Sequence, residues 1–406
     1  MKLYLENIGK IKDCSIELKG ITTIAGINNS GKSTIGKALY SIYHTFHDIS
    51  DKVFISRTRA ISRALRELDF FYLPNEKIEK EFVTSAKSKT VEDIEQMLLD
   101  YRIQDGQTLK TDSVNTREIA QKIFDTVNLS DEGVMELILK RNISQELGSL
   151  IGNVNHPEKK SAIKIQIKDD IVSDISFAPT IKINKYINYV KDIIYIDDPF
   201  VLDSIQSYRN IFFSMNGHKR NLVSLLVSEN DQDLIGQYIT EQKLETITRE
   251  LSKVCEGKLI NKQGRWVYHS DKFKEDLDIC SLSAGLKNFV VIRTLFEKGA
   301  ITNNGIVIMD EPEINLHPAW QLILAEILVL LHKDFGLNIL LNTHSPYFLN
   351  AIESYSKKHE ITKDCKYYMT RNEGDWASVE DVTNDIDCIY KLLAEPLQVH
   401  EDVANE

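Results

Sequence analysis

Residues Gly26 to Thr34 read GINNSGKST, a glycine, four residues, then Gly-Lys-Ser, set between the apolar run ITTIA and the helical pattern TIGKALYSIYHTF. Strand, loop and helix must follow in that order for backbone N–H groups to curl around an anion at a helix N-terminus. The segment therefore commits the chain to an α/β fold in which a strand ends at a phosphate site. Gly26, Asn28, Asn29, Ser30, Gly31, Lys32, Ser33 and Thr34 are the candidate nucleotide-binding residues. Glycines let the backbone approach phosphates, Lys32 reaches the β and γ phosphates of ATP, and the Ser33 hydroxyl is a magnesium ligand.

A second segment, GIVIMDEPEINLHP, is an apolar strand that delivers Asp310 and Glu311 to the C-terminal edge of a sheet, the usual ligand edge of open α/β folds. Two adjacent carboxylates left unpaired at a buried strand end would be costly in a purely structural role. Asp310 is the expected magnesium ligand, and Glu311 the base that orients and deprotonates the attacking water, because phosphoryl transfer needs positioning and charge neutralisation.

The strand candidates Gly305 to Met309 and Leu337 to Asn342 are continuous apolar runs, as parallel strands covered on both faces require. Residues 1–50 and 270–406 are expected to form the ATPase core, a mixed sheet flanked by helices. Residues 51–160 are read as a helical insertion, with Ser130 or Asp131 capping SDEGVMELILKRN. Residues 161–269 are read as a mixed strand and helix part, containing a helical stretch at about Asn221 to Val254 and a hairpin turning at Gln263 and Gly264. No heptads run long enough for a coiled-coil arm. Near the C-terminus, Ile386, Ile389, Tyr390 and Leu393 repeat at helical spacing and are expected to dock on the core.

The apolar run Ile327 to Leu331 stops at His332, far short of a membrane span. The N-terminus alternates like a strand and lacks the apolar core of a secretory signal, so a cytoplasmic location is expected. Cys14, Cys255, Cys280, Cys365 and Cys388 are scattered, with no CxxC pair, and read as reduced thiols. A net charge of -11 excludes a surface that grips nucleic acid everywhere, and confines any such contact to a local patch. Arg59, Arg63 and Arg66, on one helical face, are the densest candidate; a solvated face gives the same pattern.

Two further segments complete a resemblance to ABC-type ATPases of the RecF, SMC and OLD branch. SLSAGLK at 281–287 is similar to the ABC signature, and NTHSP at 342–346 to the strand that carries the switch histidine. The resemblance implies that Ser283 and Gly285 contact the γ-phosphate held by the opposite subunit, and that His344 senses the γ-phosphate in cis. Taken alone, Leu-Ser-Ala-Gly opening a helix also fits a plain N-cap. DEPEINLHPAWQ followed by THSPYFLNAIE resembles OLD-type and related bacterial defence ATPases more than transporter subunits. The resemblance covers about residues 1–45 and 270–355. A family glutamine linking nucleotide to the helical lobe finds no clear place among Gln166, Gln206 and others. OLD proteins also carry a C-terminal Toprim nuclease, whereas 406 minus 344, or 62, residues follow His344, too few for such a domain.

The resemblance thus implies a magnesium-dependent ATPase that forms a homodimer or higher homo-oligomer around ATP. It is similar to the ATPase subunits of Septu, PARIS or retron-associated defence systems, acting with a separately encoded nuclease or toxin. A RecF-like DNA repair ATPase is the first alternative and a transporter-type ATPase the second.

Overall fold

The computed structural model describes residues 1–67, 82–104, 116–148, 151–177, 180–206, 215, 217–228 and 246–395. Parts of the expected insertion, most of the expected helical stretch 221–254 beyond residue 228, and the end of the chain after 395 lie outside the described residues. The chain divides into two compact units, Met1–His44 with Asn142–Glu406, and Thr45–Arg141.

The larger unit is built on an eleven-stranded sheet in the order β6-β5-β4-β1-β2-β14-β13-β3-β12-β11-β7. Its first part is antiparallel: β6 (Lys182–Lys185), β5 (Asp170–Ser176), β4 (Ala162–Ile167), β1 (Lys2–Ile8) and β2 (Ile11–Glu17). Here the sequence alternates, with Leu3, Leu5, Ile163 and Ile165 buried between more exposed neighbours, as one covered face demands. After β14 (Trp376–Asp381), five strands run parallel: β13 (Cys365–Glu373), β3 (Ile21–Gly26), β12 (Asn338–Thr343), β11 (Ile306–Asp310) and β7 (Ile193–Ile196). All of β3 and β7 is buried, and nearly all of β11 and β12, which explains why the last two read as apolar runs without alternation. The mixed α/β sheet flanked by helices is the fold that the sequence implies.

The helix Lys32–Phe46 leaves β3 with Ile35, Ala38, Leu39, Ile42 and Phe46 buried at helical spacing. Pro318–Phe335 and Pro346–Lys358 follow β11 and β12, each opened by proline in the first turn and capped by His317 and Ser345 respectively. A smaller sheet holds the expected hairpin, β8 (Lys258–Lys262) and β9 (Arg265–His269), with β10 (Leu277–Asp278). Gln263 and Gly264 both take positive φ, 52° and 85°, as a two-residue hairpin turn requires. Near the C-terminus, Ile389 is buried in the main core, with Ile386, Tyr390 and Leu393 packed beside it.

The smaller unit is helical. Ile61, Phe82, Ile94, Leu98, Ile119, Ile123 and Val127 form its core. Thr90 and Asp93 cap the helix Val91–Gln104 reciprocally, each backbone N–H donating to the other side chain at 2.9 and 3.2 Å. Ser130 caps Asp131–Leu147 through Gly133. Arg57, buried in the helix Ile49–Arg66, donates to the carbonyls of Val127 and Leu129 and to Asp131 at 2.7 Å. It ties three helices at one point. Arg59, Arg63 and Arg66 on the same helix are exposed.

Candidate functional site

The phosphate loop keeps its shape because several of its residues have no sterically free alternative. Gly31 has φ +85°, and a Cβ there would stand 2.6 Å from Ile11 Cδ1. A Cβ on Gly26 would run into Thr370, its register neighbour on β13. Thr370 also shares a 2.5 Å hydrogen bond with Ser30 Oγ, and Ser30 donates to the Ile27 carbonyl at 2.7 Å. Asn28 and Asn29 are exposed on the loop, while Ser33 and Thr34 are half-buried in the first helical turn. Lys32, only 4% exposed, donates to the carbonyls of Gly26 and Ile27 at 2.9 Å each. Burial lowers its pKa, an effect opposed by the charges of Glu311, Asp310 and Glu313.

The parallel register brings the other residues to the same edge. Asp310 ends β11 opposite Asn342 on β12, whose amide donates to Asp310 Oδ1 at 3.0 Å. Tyr195 on β7 donates to Asp310 Oδ2 at 3.0 Å. Burial and the charge of Asp310 hold that phenol well above its usual range, so it donates as a neutral hydroxyl. Glu311 turns back with φ 51° and donates its N–H to the Asn342 carbonyl at 2.8 Å. Its carboxylate lies 4.0 Å from Lys32 Nζ and 3.2 Å from His344 Nδ1, the latter contact falling off the hydrogen-bond direction. Lys32, Asp310, Glu311 and His344 are thus gathered in one place.

Ser283 and Gly285 lie at the start of a separate helix. Ser283 is exposed and caps the helix Ala284–Glu297, accepting from Leu286 N at 3.3 Å. Gly285 is buried, and a Cβ there would press on the Asn315 carbonyl and the Trp320 ring at 3.0 and 3.1 Å. The helix reaches the acid-bearing turn through Asn288, which donates to the Pro312 carbonyl at 3.4 Å. Gln166 accepts from Tyr4, and Gln206 pairs with the backbone of Trp266, so both are engaged in structural hydrogen bonds.

Sequence reasoning missed Tyr195, Asn342 and Thr370, which hold Asp310 and the loop. It also missed Asp197, at the end of β7, beside Asp310 and Glu311 in a 210 Å³ cleft. Asp197 accepts from His218 Nε2 at 3.0 Å, while His218 Nδ1 donates to Glu146. Burial alone would lower the pKa of His218, but the hydrogen bonds to Asp197 and Glu146 outweigh it and raise it to about 9. None of these pairings follows a local pattern; each joins segments distant in sequence.

A phosphate loop after β3 and paired acids after β11 define a P-loop ATPase. The chain belongs to the AAA ATPase domain family, whose match spans residues 1–349. No curated protein matches the chain. Among solved structures, the SMC head domain from Thermotoga maritima is similar at 12% identity, over 94% of this chain and 98% of that one, with TM-score 0.40. The Smc head bound to the C-winged helix domain of ScpA is similar at 12% identity, over 95% and 98%, with TM-score 0.47. An ATP-binding cassette of an ABC transporter, in its ADP conformation, is similar at 14% identity, over 99% of each chain, with TM-score 0.37.

The raised pKa of His218 makes stability depend on pH. Because the folded value of about 9 exceeds the unfolded 6.5, the stabilisation is complete below about pH 6.5 and is lost as pH rises towards 9. In urea denaturation, the wild type should lose more stability than His218→Gln between these two pH values. An equal loss in both proteins would contradict the imidazolium assignment.

Proposed function

We propose that the chain is an ABC-type ATPase that binds ATP and magnesium at residues 26–34 and hydrolyses ATP between two copies of its head. The observation that carries this reading is the convergence of Lys32, Asp310, Glu311 and His344 at the end of the parallel strands. Lys32 neutralises the β and γ phosphates, and the backbone of Gly26 to Ser33 cradles them. Asp310 fits a metal: among the described residues its two oxygens accept from the neutral donors Tyr195 and Asn342, and no cation is hydrogen-bonded to it. The Ser33 hydroxyl and Asp310 would hold magnesium, a hard ion that takes oxygen ligands, and the ion would supply charge neutralisation on the phosphates. Glu311 orients the attacking water and takes its proton, and His344 senses the γ-phosphate. Ser283, exposed at a helix N-terminus, and Gly285 complete the site of the opposite subunit.

The OLD-like segments DEPEINLHPAWQ and THSPYFLNAIE support a role in bacterial anti-phage defence, in which nucleotide-driven dimerisation controls a separately encoded nuclease or toxin. Among the described residues no helix is long and apolar enough to cross a membrane. A nuclease or toxin encoded beside this chain should co-elute with it. If replication or repair proteins co-elute in place of a nuclease or toxin, the defence role is contradicted and the RecF-like alternative favoured.

Lys32→Ala should abolish ATP binding, measured by calorimetry with magnesium. Glu311→Gln should retain binding and lose about 100-fold or more in single-turnover hydrolysis, because the amide cannot accept the proton. Hydrolysis by Glu311→Gln at the wild-type rate would overturn the assignment.

A further inference from the structure

Glu313 lies two residues beyond Glu311 in the turn after β11, yet its side chain points into the protein and is 4% exposed. A carboxyl in such a place is expensive unless it is held by donors. Its Oε1 accepts from the hydroxyl of Thr343, the last residue of β12. Thr343 Oγ1 in turn accepts from Ser345 N at 3.0 Å. Ser345 is itself fixed, since its Oγ caps the next helix by accepting from Phe348 N at 3.1 Å. His344 is the single residue between Thr343 and Ser345, and its ring lies beside Glu311.

The backbone of Glu313 is pinned as well. Its carbonyl accepts from Leu316 N at 3.1 Å and from the Gln321 side chain at 3.5 Å, and the Ile314 N–H closes the turn onto the Glu311 carbonyl at 3.1 Å. One turn thus presents Glu311 to the site and sends Glu313 behind it to grip the neighbouring strand end. Beside the Glu311 N–H bond to the Asn342 carbonyl, one side-chain hydroxyl, Thr343 Oγ1, joins the turn bearing the acid to the turn bearing the histidine.

We infer that Glu313 is a positioning residue: through Thr343 and Ser345 it fixes His344 against Glu311, so that the two move as one unit when the γ-phosphate arrives. This inference rests on the reading of Glu311 and His344 given above. Glu313 touches neither nucleotide nor water; it acts by holding the 343–345 turn. The residue type follows from that task. A carboxyl is long enough to reach across to the next strand, and it accepts strongly from a hydroxyl.

Thr343→Val in the full chain is the decisive variant, because valine keeps the side-chain shape and removes only the bridging hydroxyl. Its kcat for ATP should fall about 10-fold or more, as expected for a misplaced catalytic group, while KM stays within about 3-fold. Thr343→Ser should restore most of the rate. Glu313→Gln, whose amide oxygen still accepts from Thr343, should lose less than Glu313→Ala.

The readout that separates positioning from loss of stability is a double-mutant cycle with His344→Ala. Adding His344→Ala to Thr343→Val should cost much less than adding it to the wild type, since the histidine is already misplaced. Wild-type kcat in a folded Thr343→Val, or costs that simply add, would overturn the inference even if His344→Ala alone is impaired. Wild-type activity of His344→Ala alone would instead strike the underlying reading of the histidine, and the positioning role with it.

Discussion

The parallel register of β13, β3, β12 and β11 is the constraint on which the site depends. Thr370 lies beside Gly26, Ala25 beside Thr343, and Asn342 beside Asp310, so β3, β12 and β11 end nearly level, while β13 runs on past them to Glu373. The turns that leave them carry the phosphate loop, the paired acids and the histidine. A slip of one residue in any strand would send its side chains to the opposite face. What prevents the slip is burial on both faces: Ile24, Ile308, Leu340 and Leu341 are all within a few percent of complete burial. Each such side chain contributes on the order of 2 kcal/mol when removed from water, so the core holds the register.

The edge itself is strained where the chemistry lies. Asn29 and Glu311 take left-handed backbone conformations, with φ 60° and 51°, at a cost of about 1–3 kcal/mol each. The Glu311 N–H bond to Asn342 holds one of them, and the Ser30–Thr370 bond braces the loop that contains the other. The strain at Glu311 has a direct effect on the site. It turns the carboxylate back towards Lys32 and His344 while the next residues carry Glu313 behind the strand end.

The phosphate loop, the paired acids and both apolar strands beside them were legible in the sequence, because each is a contiguous segment whose chemistry shows in the order of its residues. The roles proposed for His344 and Ser283 come only from the family resemblance; a lone His344 after a buried strand, or a Ser283 before a helix, has an equally good structural explanation. The residues that hold these groups in place were not legible. Tyr195 and Asn342 grip Asp310, and Thr370 grips the loop, from strands whose neighbours are set by topology. Strand β13 is the clearest case. KYYMTR near the C-terminus alternates weakly, and only the completed sheet shows that it lies directly beside the phosphate-loop strand.

The most direct test of a site shared between two copies uses two inactive proteins. Ser283→Arg should bind ATP in its own loop and fail to hydrolyse it, whereas Lys32→Ala should bind none. Mixed dimers hold one site with an intact loop and an intact signature, and one site with both lesions. With subunit exchange confirmed by tag pull-down, the mixture should regain ATPase activity that neither parent has, approaching half that of the wild-type dimer if the sites act independently. Full activity of Ser283→Arg alone, at concentrations where the protein is monomeric, would contradict the shared site and with it the ABC-type mechanism.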